Sequence, residues 1–129
     1  MIIGAPRIKF LTYKAGNRMA YDEGLAERLR DALRSQRNIT EKKMFGGLAF
    51  MSHDHMFVGI VGDELMARVG KEYYDKALSL PFVREMDFTG KPMQGYVFVG
   101  SQGFEEDADL ADWIKHSLEF VHTLPEKKK

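Results

Sequence analysis

The feature that most constrains the fold is a two-residue periodicity that fills much of residues 42–69. Residues 56–61 and residues 64–69 each alternate between two sets of side chains, as a pleated strand requires. Gly62 and Asp63 separate the two runs. A glycine at the first of two loop residues accepts the positive φ of a type II′ turn, whose twist suits the flanking strands. The stretch therefore predicts a β-meander, and the remaining segments are expected to form helices that cover it.

Length and composition predict a single domain. The chain has 129 residues, of which 44% are hydrophobic, which is enough for one core and short for two ordinary domains. The absence of cysteine excludes thiol catalysis, disulfide bonds and zinc sites built from thiolates. No apolar run is long enough to span a bilayer, so no membrane partner is expected. These features favour a cytoplasmic protein.

The charge is unevenly distributed along the chain. Residues 1–18 contain Arg7, Lys9, Lys14 and Arg18 and no acid, so the rest of the chain holds 15 of the 19 basic side chains and all 19 acidic ones. The segment lacks the continuous apolar region and the cleavage site of a signal peptide. We expect residues 1–18 to be a disordered or non-native extension, residues 19–125 to form the folded domain, and residues 126–129 to be a charged tail.

The first part of the domain is predicted to be a helix followed by a strand. Asp22 is a good N-cap, and an apolar stripe carries the helix to about residues 36–37. The strand begins after Thr40 and contains the adjacent Gly46 and Gly47. Two glycines within an apolar strand pattern are typical either of a two-residue hairpin or of a bulge that bends one long strand. The residues themselves leave both alternatives open. In either case we expect Gly46 or Gly47 to adopt a backbone conformation that is unfavourable for a residue with a side chain.

The second part predicts a short helix, a hairpin and a last helix. The short helix covers residues 71–80 and stops at Pro81, and strands follow at residues 83–88 and 96–99. The last helix has an apolar stripe made of Leu110, Trp113, Ile114, Ser117, Leu118 and Val121. The predicted fold is a two-layer α+β domain with three helices on an antiparallel sheet of about five strands, in the order α-β-β-β-α-β-β-α.

Few residues suggest chemistry. His53 and His55 flank Asp54, but two histidines in a polar turn lack a closed ligand set, so a solvated turn is favoured over a metal site. The acids from Glu105 to Asp112 precede or begin the last helix, where they stabilise its positive end. Gly90 and Lys91 lack the rest of a phosphate-binding loop. We expect no catalytic residue, no metal and no cofactor, and hence no enzyme.

Several uncommon sequence segments carry a family resemblance. They are KMFGG at residues 43–47, VGDELM at 61–66, RVG at 68–70, MDFTGKPM at 86–93, GYV at 95–97 and ADLADW at 108–113. In their order and spacing they resemble the N-terminal domain of the TfoX/Sxy family in its stand-alone form, over about residues 19–125. The resemblance implies a fold similar to that of secretion chaperones, with a long first strand bent by a bulge at the two glycines. It supplies no catalytic residue.

The resemblance also implies a class of function. The named family members regulate natural competence and act at promoters with the cyclic-AMP receptor protein. We therefore expect a non-enzymatic regulatory or protein-interaction domain whose partner is another protein or a second copy of the chain, with direct DNA contact disfavoured by the net charge of residues 19–129. The expected interaction surface comprises Met44, Phe45, Gly46, Gly47, Phe88, Lys91, Pro92 and Met93. The alternative is a nucleic-acid-binding domain, which would require Lys42, Lys43, Arg68, Lys71 and Lys91 to converge with the basic residues 1–18.

Overall fold

A computed structural model describes residues 21–44, 46–87, 90 and 92–125, so the predictions for residues 1–18 and 126–129 lie outside the described residues. The helices are α1 (Glu23–Ala32), α2 (Lys71–Leu78) and α3 (Asp107–Val121), and Ser101–Gly103 form a short 3-10 helix. The strands are β1 (Ile39–Met44), β2 (Gly47–Ser52), β3 (His55–Val61), β4 (Glu64–Arg68), β5 (Val83–Glu85) and β6 (Tyr96–Val99). They form one antiparallel sheet in the order β1-β2-β3-β4-β6-β5. The α+β prediction is confirmed, with six strands in the described part of the chain instead of about five.

The additional strand comes from the adjacent glycines. Met44 of β1 pairs with Gly47 of β2, so the chain reverses within two residues and the bulge that the family resemblance implied is wrong. Gly46 has φ +72°, the left-handed conformation that a tight turn demands. A Cβ on Gly47 would stand 2.0 Å from the Ile60 carbonyl oxygen. The prediction that a side chain would be resisted at one of the two glycines is therefore confirmed at both.

The predicted hairpin at Gly62 and Asp63 is also confirmed. Val61 pairs with Glu64, and Gly62 has φ +60°. Its turn lies beside the start of the domain, since Tyr21 forms an isolated parallel bridge with Gly62 and the Asp22 N–H donates to the Gly62 carbonyl at 2.8 Å.

Helices α1 and α2 and strand β5 end earlier in the sequence than predicted. The Asp22 carboxylate caps α1 by accepting from the Gly24 N–H at 2.8 Å, but the helix ends at Ala32, because the chain must reverse before β1 starts at Ile39. Helix α2 ends at Leu78, two residues before the predicted end. Strand β5 has three residues, fewer than the predicted strand at residues 83–88. It pairs only with β6, and the next residue, Met86, joins the cluster of Met66 and Phe98 on the face opposite the helices.

The helices pack on one face of the sheet, which we call the helix face. Along β2, Leu48 and Phe50 point to this face and join the main core with the helix side chains. The predicted stripe of α3 is confirmed, because all six of its residues are buried. Trp113 is 7% exposed and its indole N–H donates to the Gly103 carbonyl at 3.1 Å. Because Leu48 and Phe50 point into this core, the side chains that alternate with them along β2 point to the opposite face of the sheet.

Candidate functional site

The face of the sheet opposite the helices carries every methionine in the described part of the chain. A second apolar cluster there contains buried Met66, Met86 and Phe98, against which Met56 and Met93 pack, among others. Strand alternation places two further methionines on the same side, because Met51 pairs with Met56 and Met44 pairs with Gly47. We call this surface the methionine face; its methionines are Met44, Met51, Met56, Met66, Met86 and Met93. None of the buried residues of the three helices belongs to its cluster.

Small residues on the neighbouring strands make room for these long side chains. Gly59 of β3 pairs with Met66 of β4, and a Cβ on Gly59 would stand 2.7 Å from Met66 Cε. Gly47 and Ala49 continue this line of small residues onto β2. The methionine side chains can therefore lie along the sheet, and Met44, Met51, Met56 and Met93 remain partly accessible to solvent.

Charged side chains border the face at two points. Arg84 of β5 pairs with Glu64 of β4 at 2.6 Å, and its guanidinium lies 4.7 Å from the centre of the Phe98 ring. Arg68 at the end of β4 lies 5.4 Å from the Tyr96 ring and 5.5 Å from the Phe120 ring. An apolar centre with a charged margin is the composition of many protein-binding surfaces.

The structure does not bring the predicted interaction residues together. Met44, Gly46 and Gly47 lie at the β1–β2 turn, whereas Pro92 and Met93 lie in the connection between β5 and β6. These positions are at opposite edges and opposite ends of the sheet. Met93 folds inward, and its N–H donates to the Met86 carbonyl at 2.9 Å. Phe45, Phe88 and Lys91 lie outside the residues that can be described.

The basic residues of the nucleic-acid hypothesis are also dispersed. Lys42 and Lys43 are exposed on the edge strand β1 and, as consecutive strand residues, point to opposite faces. Arg68 lies on β4, three strand spacings away, or about 14 Å. Lys71 begins α2. The described members of the set therefore share no single patch.

The histidines make local contacts within the fold. His55 is buried, unlike the solvated position predicted for it, and its Nε2 lies 2.8 Å from the Pro125 carbonyl oxygen. His53 is exposed in the β2–β3 turn, and its ring meets the His122 ring edge-on at 5.9 Å. In the part of the chain that the structure describes, no three or more His, Asp or Glu residues are grouped so that they could hold a metal ion.

The acidic residues before and within α3 do not cap it as a set. Glu106 occupies the N-cap position without a side-chain hydrogen bond to the helix. Asp107 instead pairs with Arg28 of α1 at 3.0 Å. The placement at the start of the helix was predicted correctly, and the remaining carboxylates are exposed there.

Comparison with known families decides the affiliation. The family model of the TfoX N-terminal domain matches residues 31–121, which include all six strands, α2 and α3. The chain belongs to this family. TfoX N-terminal domains are associated with the regulation of competence. No curated protein matches the chain. Among the described helices of this TfoX N-terminal domain, none has the length and apolar character to cross a membrane.

Sequence inspection did not identify Met51, Met56, Met66 and Met86 as members of this face. For Met66 the signal was present, because the alternation of β4 sets it opposite Leu65 and Ala67. For Met56 the predicted alternation was wrong: it grouped Met56 with Val58 and Ile60, but a register shift opposite Phe50 and Met51 turns Met56 to the other face. What the sequence does not contain is which side the helices cover. That side is decided by how α1, α2 and α3 pack on the sheet.

Proposed function

We propose that this TfoX N-terminal domain is a non-enzymatic regulatory module that binds another protein through its methionine face. The observation that carries the proposal is the collection of all six described methionines on the one sheet face that no described helix covers. Membership of a family associated with competence regulation agrees with a regulatory role.

The chemistry of methionine supports a protein partner. The thioether side chain is unbranched and polarisable, so a surface rich in methionine can adapt to apolar partners of different shape. The partly accessible Met51 and Met56 are directly paired across β2 and β3 and can move without disturbing the main core on the helix face. We propose a partner that presents an apolar helix or loop with polar flanks, which would meet Arg84 and Glu64 at the margin.

The same face is poorly suited to nucleic acid. Duplex binding depends on neutralising phosphates with many Lys and Arg side chains. The described basic residues of that hypothesis are dispersed, and Arg84 is already paired with Glu64. We therefore propose that any effect on transcription passes through a protein partner. A fluorescence-anisotropy titration with duplex DNA at physiological salt should give no sub-micromolar binding that weakens steeply with added salt.

The proposal can be tested by making the face polar without changing its size. Met51→Gln combined with Met56→Gln replaces two partly accessible thioethers by amides of similar length. Leu80→Gln is the matched control, because Leu80 is 37% exposed on the helix side of the molecule. Each tagged chain is used to capture partners from nuclease-treated extract of the producing cell, and bound proteins are quantified against the wild type.

We expect one or more proteins to be retained by the wild type and by Leu80→Gln, and to be lost from the double variant. Thermal unfolding of the three chains should remain similar, so that loss of binding is not loss of fold. Equal retention by the double variant would contradict a role for the methionine face. Retention of the chain's own untagged copy alone would indicate self-association in place of a different partner.

A further inference from the structure

A groove on the helix side of the molecule has features that the methionine face does not explain. It lies between the end of α2, the segment that follows it, the 3-10 helix and α3, and it has a volume of about 380 Å³. Leu80, Phe82 and Trp113 supply apolar surface to its walls. Sites that take a single small molecule have volumes of about 300–1,000 Å³, so the groove is large enough to be one.

Phe82 presents its ring at this groove from an unusual backbone conformation. The residue is 52% exposed, the highest exposure of any large apolar residue among those described. Its φ is +68°, a left-handed conformation that is an outlier for an aromatic residue and that persists only where the surrounding structure imposes it. The Phe82 carbonyl accepts from the Gly100 N–H at 2.8 Å, which helps to fix that conformation. The fold therefore holds an apolar ring in solvent at the edge of the groove.

One face of α3 lines the groove with carboxylates and aromatic rings. Four of its side chains follow one another at spacings of three and four residues and all line the groove: Asp109, Asp112, Trp113 and His116. Asp109 is in the first turn, where the helix dipole favours an acid, but Asp112 lies beyond that turn. Both aspartates are exposed, and neither forms a salt bridge with a described residue. The groove thus has two carboxylates whose charge no described side chain neutralises.

No lysine or arginine is found among the described residues that line the groove. Tyr73 stacks on His116 with the ring centres 4.3 Å apart, and both rings also line a neighbouring depression that contains Arg68 and Lys71. The stacked pair therefore stands between these bases and the groove. Lys76 Nζ lies 6.0 Å from the centre of the Tyr73 ring, but Lys76 is not part of the groove wall. The charge complementary to the groove is consequently positive.

We propose that the groove binds a small organic cation, namely an aromatic or branched aliphatic body that carries a primary ammonium group. The body packs against Phe82 and Leu80 and removes their exposed surface from water. The ammonium group lies against Asp109 and Asp112, where it supplies the missing counter-charge. The groove is on the helix side of the molecule, so its occupation is independent of the partner binding proposed for the methionine face.

Phenethylamine is the probe that tests the proposal in the full chain. Its matched control is 3-phenylpropionate, in which a chain of the same length joins the same ring to a carboxylate. Each is titrated to millimolar concentration into ¹⁵N-labelled protein at low salt. We expect saturable shifts of the Gln102 amide and of the indole N–H of Trp113, the only tryptophan in the chain, with the amine alone. Added salt should weaken this binding, because it screens exposed charges.

Two substitutions on α3 separate the groove from the net charge of the chain. Asp112→Asn and Glu119→Gln each remove one exposed carboxylate, but Glu119 does not line the groove. A surface ion pair contributes at most about a factor of five to an equilibrium constant. We therefore expect Asp112→Asn to weaken phenethylamine binding about two- to five-fold, and Glu119→Gln to leave it unchanged. Equal weakening by both variants would overturn the proposal, because the effect would then be one of net charge.

Phe82→Gly tests the apolar half of the site. Glycine accepts the positive φ at this position, so we expect the variant to stay folded and to lose saturable binding of phenethylamine. If this variant is unstable, the comparison of Asp112→Asn with Glu119→Gln remains decisive. No saturable shift with phenethylamine, or equal binding of 3-phenylpropionate, would overturn the proposal. Saturation by a short peptide of Lys and Phe but not by phenethylamine would overturn it in favour of a segment of a partner protein.

Discussion

Met66 of β4 lies across the bare backbone of Gly59 of β3, and a Cβ on Gly59 would stand 2.7 Å from Met66 Cε. The two residues are directly paired, so the small residue supplies the space that the long one fills. The same Cβ would also stand 3.0 Å from the Leu48 carbonyl oxygen on the next strand. The shape of the methionine face therefore depends on glycine at this position.

We expect Gly59→Ala to lower the free energy of unfolding by about 1–3 kcal/mol through overpacking. Part of this cost should disappear in a Met66→Ala background, because the methionine terminus is then absent while the Leu48 carbonyl remains. A double-mutant cycle measured by urea denaturation should give a coupling of at least about 0.5 kcal/mol. Additive effects of the two substitutions would contradict the contact.

The β1–β2 hairpin provides a matched pair of substitutions. Gly46 has positive φ but open space around it, so Gly46→Ala should cost about 1–2 kcal/mol for backbone strain alone. Gly47→Ala would place a Cβ 2.0 Å from the Ile60 carbonyl and must separate β2 from β3 locally. We expect Gly47→Ala to be the more destabilising of the two in thermal unfolding. The reverse order would contradict the two-residue turn and its register.

These glycines also show how far sequence reasoning reaches. Their adjacency was enough to predict that side chains would be resisted, because either a hairpin or a bulge places glycine in a restricted position. The adjacency could not distinguish a hairpin from a bulge, because residues 39–44 are mostly polar and exposed and show no alternation of buried and exposed side chains. An edge strand that lies almost wholly in solvent, as β1 does, leaves little trace in the hydrophobic pattern.

Elements with a local sequence signal were easier to predict. The stripe of α3 from Leu110 to Val121 and the turn at Gly62 follow from local periodicity and turn chemistry, and both were correct. The methionine face and the left-handed backbone of Phe82, whose φ is +68°, depend on which side of the sheet the helices cover and on how the chain leaves α2. Such properties arise from tertiary packing, so a window of sequence does not contain them.

The ion pair between α1 and β1 should make stability depend on pH. Arg30 Nε donates to Glu41 Oε2 at 2.7 Å and Arg30 Nη2 donates to Oε1 at 2.9 Å, which holds the pKa of Glu41 below its ordinary value of 4.5. A carboxylate with a lowered pKa in the folded state stabilises the protein above its unfolded pKa, and this contribution is lost as the pH falls through the folded pKa.

We expect Glu41→Gln to lower the free energy of unfolding by about 0.5–1 kcal/mol at neutral pH, because both side chains are 35% exposed and solvent screens the pair. The difference from the wild type should vanish in acid, when Glu41 is protonated. Glu27→Gln is the control; Glu27 also pairs with Arg30 but is 68% exposed, so its effect should be smaller. A Glu41→Gln difference that persists unchanged in acid would refute an electrostatic origin.

Tyr74 of α2 should make stability depend on pH in the alkaline range, whereas Glu41 does so in the acidic range. Its hydroxyl is buried and has no hydrogen-bond partner in the described structure, and burial raises its pKa above 10.0, with smaller contributions from Glu85 and Asp75. Tyr74→Phe removes an unsatisfied polar group, so we expect unchanged or increased stability at neutral pH. A raised pKa stabilises the fold below the unfolded pKa, and this is lost as pH rises through the folded value. The Tyr74→Phe variant should therefore lose less stability than the wild type as the pH is raised into the alkaline range. A decrease in the free energy of unfolding by more than about 1 kcal/mol at neutral pH would contradict the unpaired hydroxyl, because it would indicate a hydrogen bond.

The central claim is that a protein partner docks on the methionine face, and the methionine methyl groups report on it directly. In protein labelled with ¹³C at the methionine Cε and the isoleucine Cδ1, the methyl signals of the face are compared with that of Ile114, which is buried in the main core on the helix face. Addition of the purified partner captured by the wild-type chain should shift or broaden Met51 and Met56, with Met44 or Met93 following, while the Ile114 signal stays unchanged. Binding that leaves the signals of all four partly accessible methionines unaltered would contradict the account.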